Sequence, residues 1–172
     1  GVILSQIHEL DLAYWLFGMP RKVFALGGHW SSLEIDVEDT ASILLQCAHG
    51  GRPLPVHVHL DYVQRPPSRR CEIVGEAGKI FVDLHVPEVR VVDASGRAEV
   101  HGVPDFKRND LFVDELRHFL ACVEGRATPA VSARDGARSL EIALAAHRSI
   151  ATLPLRVDRQ DNVWIVDQMS TQ

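Results

Sequence analysis

Between Leu54 and Val63 the chain reads LPVHVHLDYV, and its alternation is strict. Val56, Val58, Leu60 and Tyr62 fall on one side of an extended strand, and His57, His59 and Asp61 on the other. A period of two over this length excludes a helix. It demands a sheet with one buried face and one polar or partner-covered face. The neighbouring segments extend the constraint. KVFALGGHW and TASILLQCA read as strands, and HGGRP as the turn between TASILLQCA and the alternating strand. After the breaker QRPPSRR come CEIVG, KIFVDL, EVRVVDA and a weak strand near Val100. Short strands parted by Gly and Pro turns predict a mainly antiparallel sheet.

The strand block is flanked by helical periodicity. Ile3, Ile7, Leu10, Tyr14 and Phe17 recur at steps of three and four, with Leu12, Trp15 and Leu16 widening the face, until Gly18 and Pro20 stop it. Phe112, Leu116, Phe119, Leu120 and Val123 form a second stripe closed by Gly125. SARDGARSLEIALAAHRSIA is a third helix, with Ser132 as N-cap and Asp135 three residues on. Helices at both ends of a strand block give an α+β domain, its helices packed on one face of the sheet and the other face open. The domain is expected over 1–158, with 159–172 as a tail of little pattern.

Composition narrows the function classes. A net charge of −5 leaves no basic field for nucleic acid. No apolar run reaches the ~18 residues of a membrane span. Cys47, Cys71 and Cys122 are widely spaced and odd in number, so reduced thiols are expected, as in a cytoplasmic protein. The chain opens at Gly1 without an initiator Met and is expected to be a domain of a longer protein. No Gly-x-Gly-x-x-Gly follows a strand, and neither a Walker-type loop nor a Gly-x-Ser-x-Gly is present.

Three groupings carry candidate chemistry. His57, His59 and Asp61 have spacing that could converge on zinc, or could simply make a polar sheet face. Arg65, Arg69 and Arg70 sit on a proline-stiffened loop and could clamp an anion, or be solvated. His8 lies one helical turn from Ser5 and from Asp11, where an imidazole could shuttle a proton or lie idle on a helix surface.

IHELDLAYWLFG, EIDVEDTASILLQ, HLDYVQRPPSRRCEIVGEAGKI and NDLFVDELRHFLACVEG occur in that order. Together they resemble the C-terminal domain of the glucose–fructose oxidoreductase and inositol dehydrogenase family of NAD(P)-dependent oxidoreductases, over roughly residues 1–152. The resemblance implies that NAD or NADP binds an N-terminal Rossmann domain absent from this chain. It implies that the family's Glu-Lys-Pro lysine lies there too. No cofactor is expected on this chain, which alone is expected to be inactive. The implied substrate is a sugar or polyol, and the implied assembly a homo-oligomer through the open sheet face. His8 matches the family histidine that assists proton transfer, and Tyr62, Gln64, Arg65 and Asp11 are the implied substrate contacts. His57 and His59 then face a partner subunit or water, and no metal ligand is expected. Two departures stand out. Leu4 and Ser5 occupy the positions where many members carry an aspartate one turn before the histidine, and Phe112 replaces a frequent tyrosine. The missing acid keeps two alternatives open: a non-catalytic scaffold of the same family, and a stand-alone sugar-binding or metal-dependent module.

Overall fold

The computed structural model describes residues 1–152, and the backbone alone at Leu155–Val157 and Val163–Ile165. Most of the expected tail, 159–172, lies outside the described residues. The chain divides into two compact units, residues 1–63 with 131 onward, and residues 64–130.

The first unit is a three-stranded antiparallel sheet with helices on one face. Its strands are β1 (Lys22–Gly28), β2 (Thr40–His49) and β3 (Arg52–Asp61), in that order. Gly50 and Gly51 join β2 to β3 with φ of 55° and 79°. A two-residue hairpin needs positive φ at both positions, which glycine adopts without a Cβ penalty. The helices are α1 (Val2–Ser5), α2 (Ile7–Phe17) and α4 (Ala133–Thr152). Val2, Ile3, Leu10, Ala25, Ala41, Ile43, Leu45, Leu60, Ile142 and Ala146 are buried together, so α1, α2 and α4 seal one face of this sheet. The alternation of β3 sends Val58 and Leu60 into that core and leaves His57 and His59 exposed.

Two packing details show how the sequence makes these contacts. Gly27 faces α4 so closely that a Cβ there would lie 2.8 Å from the Thr40 carbonyl oxygen and 2.9 Å from Ile150 Cδ1. The Ala25 amide, on the outer edge of β1, donates to Ser149 Oγ of α4 at 2.9 Å, so the helix covers the strand edge. The start of α4 is a reciprocal capping box. The Asp135 amide donates to Ser132 Oγ at 3.2 Å, and the Ser132 amide donates to Asp135 Oδ2 at 2.9 Å. The Ser132 hydroxyl, which donates to Asp135 Oδ2 at 2.6 Å, and then the Ser132 amide hold the Asp135 carboxyl below its ordinary pKa.

The first helix differs from its expected form. It breaks at Gln6, whose φ of −110° and ψ of 31° leave the helical region. The widened apolar face is not buried either, since Trp15 is 77% exposed.

The second unit is a four-stranded antiparallel sheet in sequential order, followed by a helix. Its elements are β4 (Arg70–Gly75), β5 (Gly78–Asp83), β6 (Glu88–Asp93), β7 (Ala98–Gly102) and α3 (Arg108–Val123). Strands β1–β7 are thus antiparallel as expected, divided between two sheets. The apolar stripe on α3 is present, but no residue of the helix is buried. β8 (Leu155–Val157) and β9 (Val163–Ile165) pair antiparallel. Cys47, Cys71 and Cys122 form no disulfide.

Candidate functional site

The helix break at Gln6 organises the candidate site. Val2 and Ile3 lack partners for their amides within α1, as every helix start does. They find them on a distant loop: the Val2 amide donates to the Glu38 carbonyl at 2.9 Å, and the Ile3 amide to Glu38 Oε1 at 3.2 Å. His147 Nε2 of α4 stands 3.6 Å from the same carboxylate oxygen. At the other end of α1 the Ser5 and Tyr62 hydroxyls are hydrogen-bonded to each other, and Gln6 Nε2 donates to the Asp61 carbonyl at 3.2 Å. Two adjacent residues at the break are therefore tied to the end of β3, and α2 restarts at Ile7 with His8 in its first turn.

His8 is 52% exposed, and its Nε2 lies 3.2 Å from Glu9 Oε1. The carboxylate beside the histidine is thus the next residue in sequence, not one a turn earlier. Asp11 points elsewhere: Ser139 Oγ of α4 donates to its Oδ1 at 2.5 Å. One turn along, the Tyr14 hydroxyl donates to Asp135 Oδ1 at 3.2 Å. Asp11 and Tyr14 together clamp α2 to α4. Burial, and next the Asp135 carboxylate that accepts its proton, push the Tyr14 phenol above its ordinary pKa.

Tyr62 comes together with Ser5 at this end of the first unit. Gln64 and Arg65 begin the second unit. The Ser68 amide donates to Gln64 Oε1 at 3.1 Å, and Arg65 donates to the Gln64 carbonyl at 2.9 Å. Both bonds stabilise the loop itself. Of the other loop arginines, Arg70 Nε is paired with Asp83 Oδ2 at 3.2 Å, and the Arg69 carbonyl accepts from the Leu84 amide.

A second node lies near the start of β2. Asp39 is fully buried and accepts from the Trp30 amide at 3.1 Å, the Ser31 amide at 3.0 Å, Ser31 Oγ at 2.6 Å and Thr40 Oγ1 at 3.0 Å. Burial alone would raise its pKa, but the hydrogen bonds outweigh it and hold the carboxyl far below the usual range. Asp39 is a loop anchor. Its backbone also receives the Tyr62 amide at 3.0 Å, which fixes where β3 ends.

Among the described residues, no group of three or more His, Cys, Asp and Glu is arranged to hold a metal ion. On β3, His57 Nε2 and His59 Nδ1 both contact Ser42 Oγ, at 2.9 Å and 3.4 Å. Among the described residues, no helix is long and apolar enough to cross a membrane. Sequence reasoning left Gln6 out of the site, and it named Ser5 only as a neighbour of His8 and not as the partner of Tyr62. The polar run SQIHE was the available signal, but its tertiary partners were not visible in it.

Comparison with known proteins identifies the domain. Residues 1–153 match the model of an oxidoreductase family, C-terminal alpha/beta domain. Myo-inositol 2-dehydrogenase of Thermotoga maritima is 31% identical over 163 residues, covering 87% of this chain and 47% of the relative. The scyllo-inositol 2-dehydrogenase (NAD(+)) of Bacillus subtilis is 32% identical over 170 residues, covering 92% and 48%. The chain therefore spans about half the length of the curated relatives it matches. Among solved structures, UDP-N-acetylglucosamine 3-dehydrogenase from Acidithiobacillus ferrooxidans superposes with a TM-score of 0.70 at 24% identity, over 87% of this chain and 46% of that one. Biliverdin reductase from Synechocystis gives 0.69 at 17%, over 86% and 46%. These likenesses show the fold. The family match over nearly the whole described chain shows the rest: this chain belongs to the Gfo/Idh/MocA oxidoreductase family, as its C-terminal α/β domain.

Proposed function

We propose that residues 1–158 are the substrate-binding and self-associating domain of an NAD(P)-dependent oxidoreductase acting on a sugar or polyol, and that this chain is inactive without a Rossmann domain. The inositol dehydrogenases among its relatives support a polyol substrate, and one of them carries NAD(+) in its name. The observation that carries the reading is the break at Gln6. It ties Ser5 and Gln6 to the end of β3 and leaves His8 exposed in the first turn of α2.

The sequence holds no glycine-rich strand–helix turn of the kind that cradles a dinucleotide, so a dinucleotide does not fit this chain. Bound elsewhere, the nicotinamide would exchange hydride with a C–OH carbon. The residues here have narrower tasks. His8 holds or moves the hydroxyl proton through the ring nitrogen that Glu9 does not occupy, and Glu9 steadies the imidazole when it is charged. The Ser5–Tyr62 hydroxyl pair orients substrate hydroxyls. Asp11 supports the site by clamping α2 to α4.

The test is made in the full-length protein. His8→Ala should lower turnover by about a hundredfold or more, the scale of a general acid–base group. Cofactor affinity should stay the same. Near-normal turnover from about pH 6 to 9 would refute the proton role and favour the scaffold reading, which the absence of an acid at Leu4 and Ser5 supports. Self-association has its own test. The open face of β1–β2–β3 carries Leu44 at 48% exposure, and a face of this kind is seldom left bare. Sedimentation at micromolar concentration should show a dimer or larger, and Leu44→Asp should give a monomer.

A further inference from the structure

The strand register sets out that open face row by row. Lys22, Gln46 and Pro55 form one row, Phe24, Leu44 and His57 the next, then Leu26, Ser42 and His59, and last Gly28, Thr40 and Asp61. The alternate residues Ala25, Ile43 and Val58 are core, as the pleat requires. The middle of the face is therefore apolar except for one hydrogen-bonded line. Ser42 Oγ lies 2.9 Å from His57 Nε2 and 3.4 Å from His59 Nδ1, and His59 Nε2 lies 3.4 Å from Asp61 Oδ2. The charged groups facing the two imidazoles are Asp61 on the same strand and Lys22 on β1. β2 contributes only Thr40, Ser42 and Gln46, which do not titrate.

Two features make a second copy of this chain the fitting occupant. With neutral imidazoles the middle rows carry no charge, and the Ser42 hydroxyl can donate to one ring and accept from the other. Lys22 and Asp61 stand at opposite ends of the face. A two-fold placement that lays Lys22 of one copy over Asp61 of the other is therefore complementary, and at ordinary strand spacing it brings His57 close to its symmetry mate.

We infer that self-association through this face is gated by protonation of His57 and His59. The inference rests on the self-association proposed above. Protonation charges both rings. Since both nitrogens contact one oxygen, the charges lie within about 6 Å of each other, and a second copy doubles them. Asp61 offsets at most one charge per copy. The remaining imidazolium must be buried between two sheets without a counter-ion, which costs desolvation that nothing returns. Imidazoles change charge between about pH 5 and 8, so the face binds its copy above that range and rejects it below.

Sedimentation equilibrium of this chain at about pH 8 and about pH 5.5 tests the inference. The dimer dissociation constant should rise by about tenfold or more on acidification, and by less than about twofold in H57Q/H59Q. The variant H57K/H59K carries fixed charges and should be monomeric at about pH 8, where no acid unfolding intervenes. A wild-type dimer equally tight at both pH values, a glutamine variant that keeps the full response, or a dimeric lysine variant would overturn the gating and leave the self-association reading intact. A wild-type monomer at about pH 8 would overturn both.

Discussion

Gly27→Ala tests the packing that carries the first unit. Two effects oppose each other. Alanine restricts the unfolded chain, which favours folding by about 0.4–1 kcal/mol where the native conformation accepts it. Against this, the new Cβ would meet Thr40 O at 2.8 Å, Ile150 Cδ1 at 2.9 Å and Ala41 Cβ at 3.1 Å. The Ile150 contact is with the far end of a flexible side chain and is cheap to relieve. The Thr40 contact is with backbone held in the β1–β2 ladder, where Gly28 pairs with Thr40. Overpacking of this kind costs about 1–3 kcal/mol, so the net change should be a loss of about 1–2 kcal/mol. For a domain of this size that lowers Tm by about 3–6 °C, read by far-UV circular dichroism. Hydrogen exchange gives a local check. The β1–β2 ladder amides beside Gly28 and Thr40 should lose protection, because the strand must shift, while the Ala25 amide, bonded to Ser149 Oγ, should keep its own. Adding Ile150→Val should restore less than half of the loss. An unchanged or raised Tm would refute the reasoning, and full rescue by Ile150→Val would move the limiting contact from the strand to the helix.

Other outcomes follow from the same contacts. Ser132→Ala should cost about 1 kcal/mol by removing the cap of α4. The Asp135 carboxyl is held below its usual range first by the Ser132 hydroxyl and then by the Ser132 amide. Its contribution is therefore present above the ordinary carboxylate pKa and lost as pH falls through the lower folded value, so urea titrations of Ser132→Ala should show a flatter acid limb. Asp39→Asn, which sets an amide donor against the donors of Trp30, Ser31 and Thr40, should lower Tm at neutral pH and lose less further stability on acidification than the parent does. Protein purified without a histidine tag should carry well under one equivalent of zinc by elemental analysis. Stoichiometric zinc lost on His59→Ala would instead favour a metal-dependent module.

Much of the fold was legible in order and type of element. The strict alternation of β3 determined which residues enter the core, because a strand has only two faces. The Gly50–Gly51 pair marked its hairpin, and Ser132 with Asp135 marked the start of α4, since both signals act within a few residues. The site was legible as a segment: SQIHELD flagged itself by composition, and its resemblance to a family singled out His8.

What the sequence could not show is which groups meet across the chain. The first helix reads as one amphipathic run, yet it breaks at Gln6. Its breaking bonds go to Asp61 and Tyr62, and the amides at its start are taken by Glu38. Periodicity records local spacing and carries no information about a partner some fifty residues away. Asp11, one turn from His8, looked like a companion to it, and only the packing of α4 gave it to Ser139 instead. A helix face has several directions, and neighbours in sequence diverge around its axis by about 100° per residue. Local propensity therefore determined the elements, and tertiary contacts decided which polar side chains were left exposed and which hold the fold together.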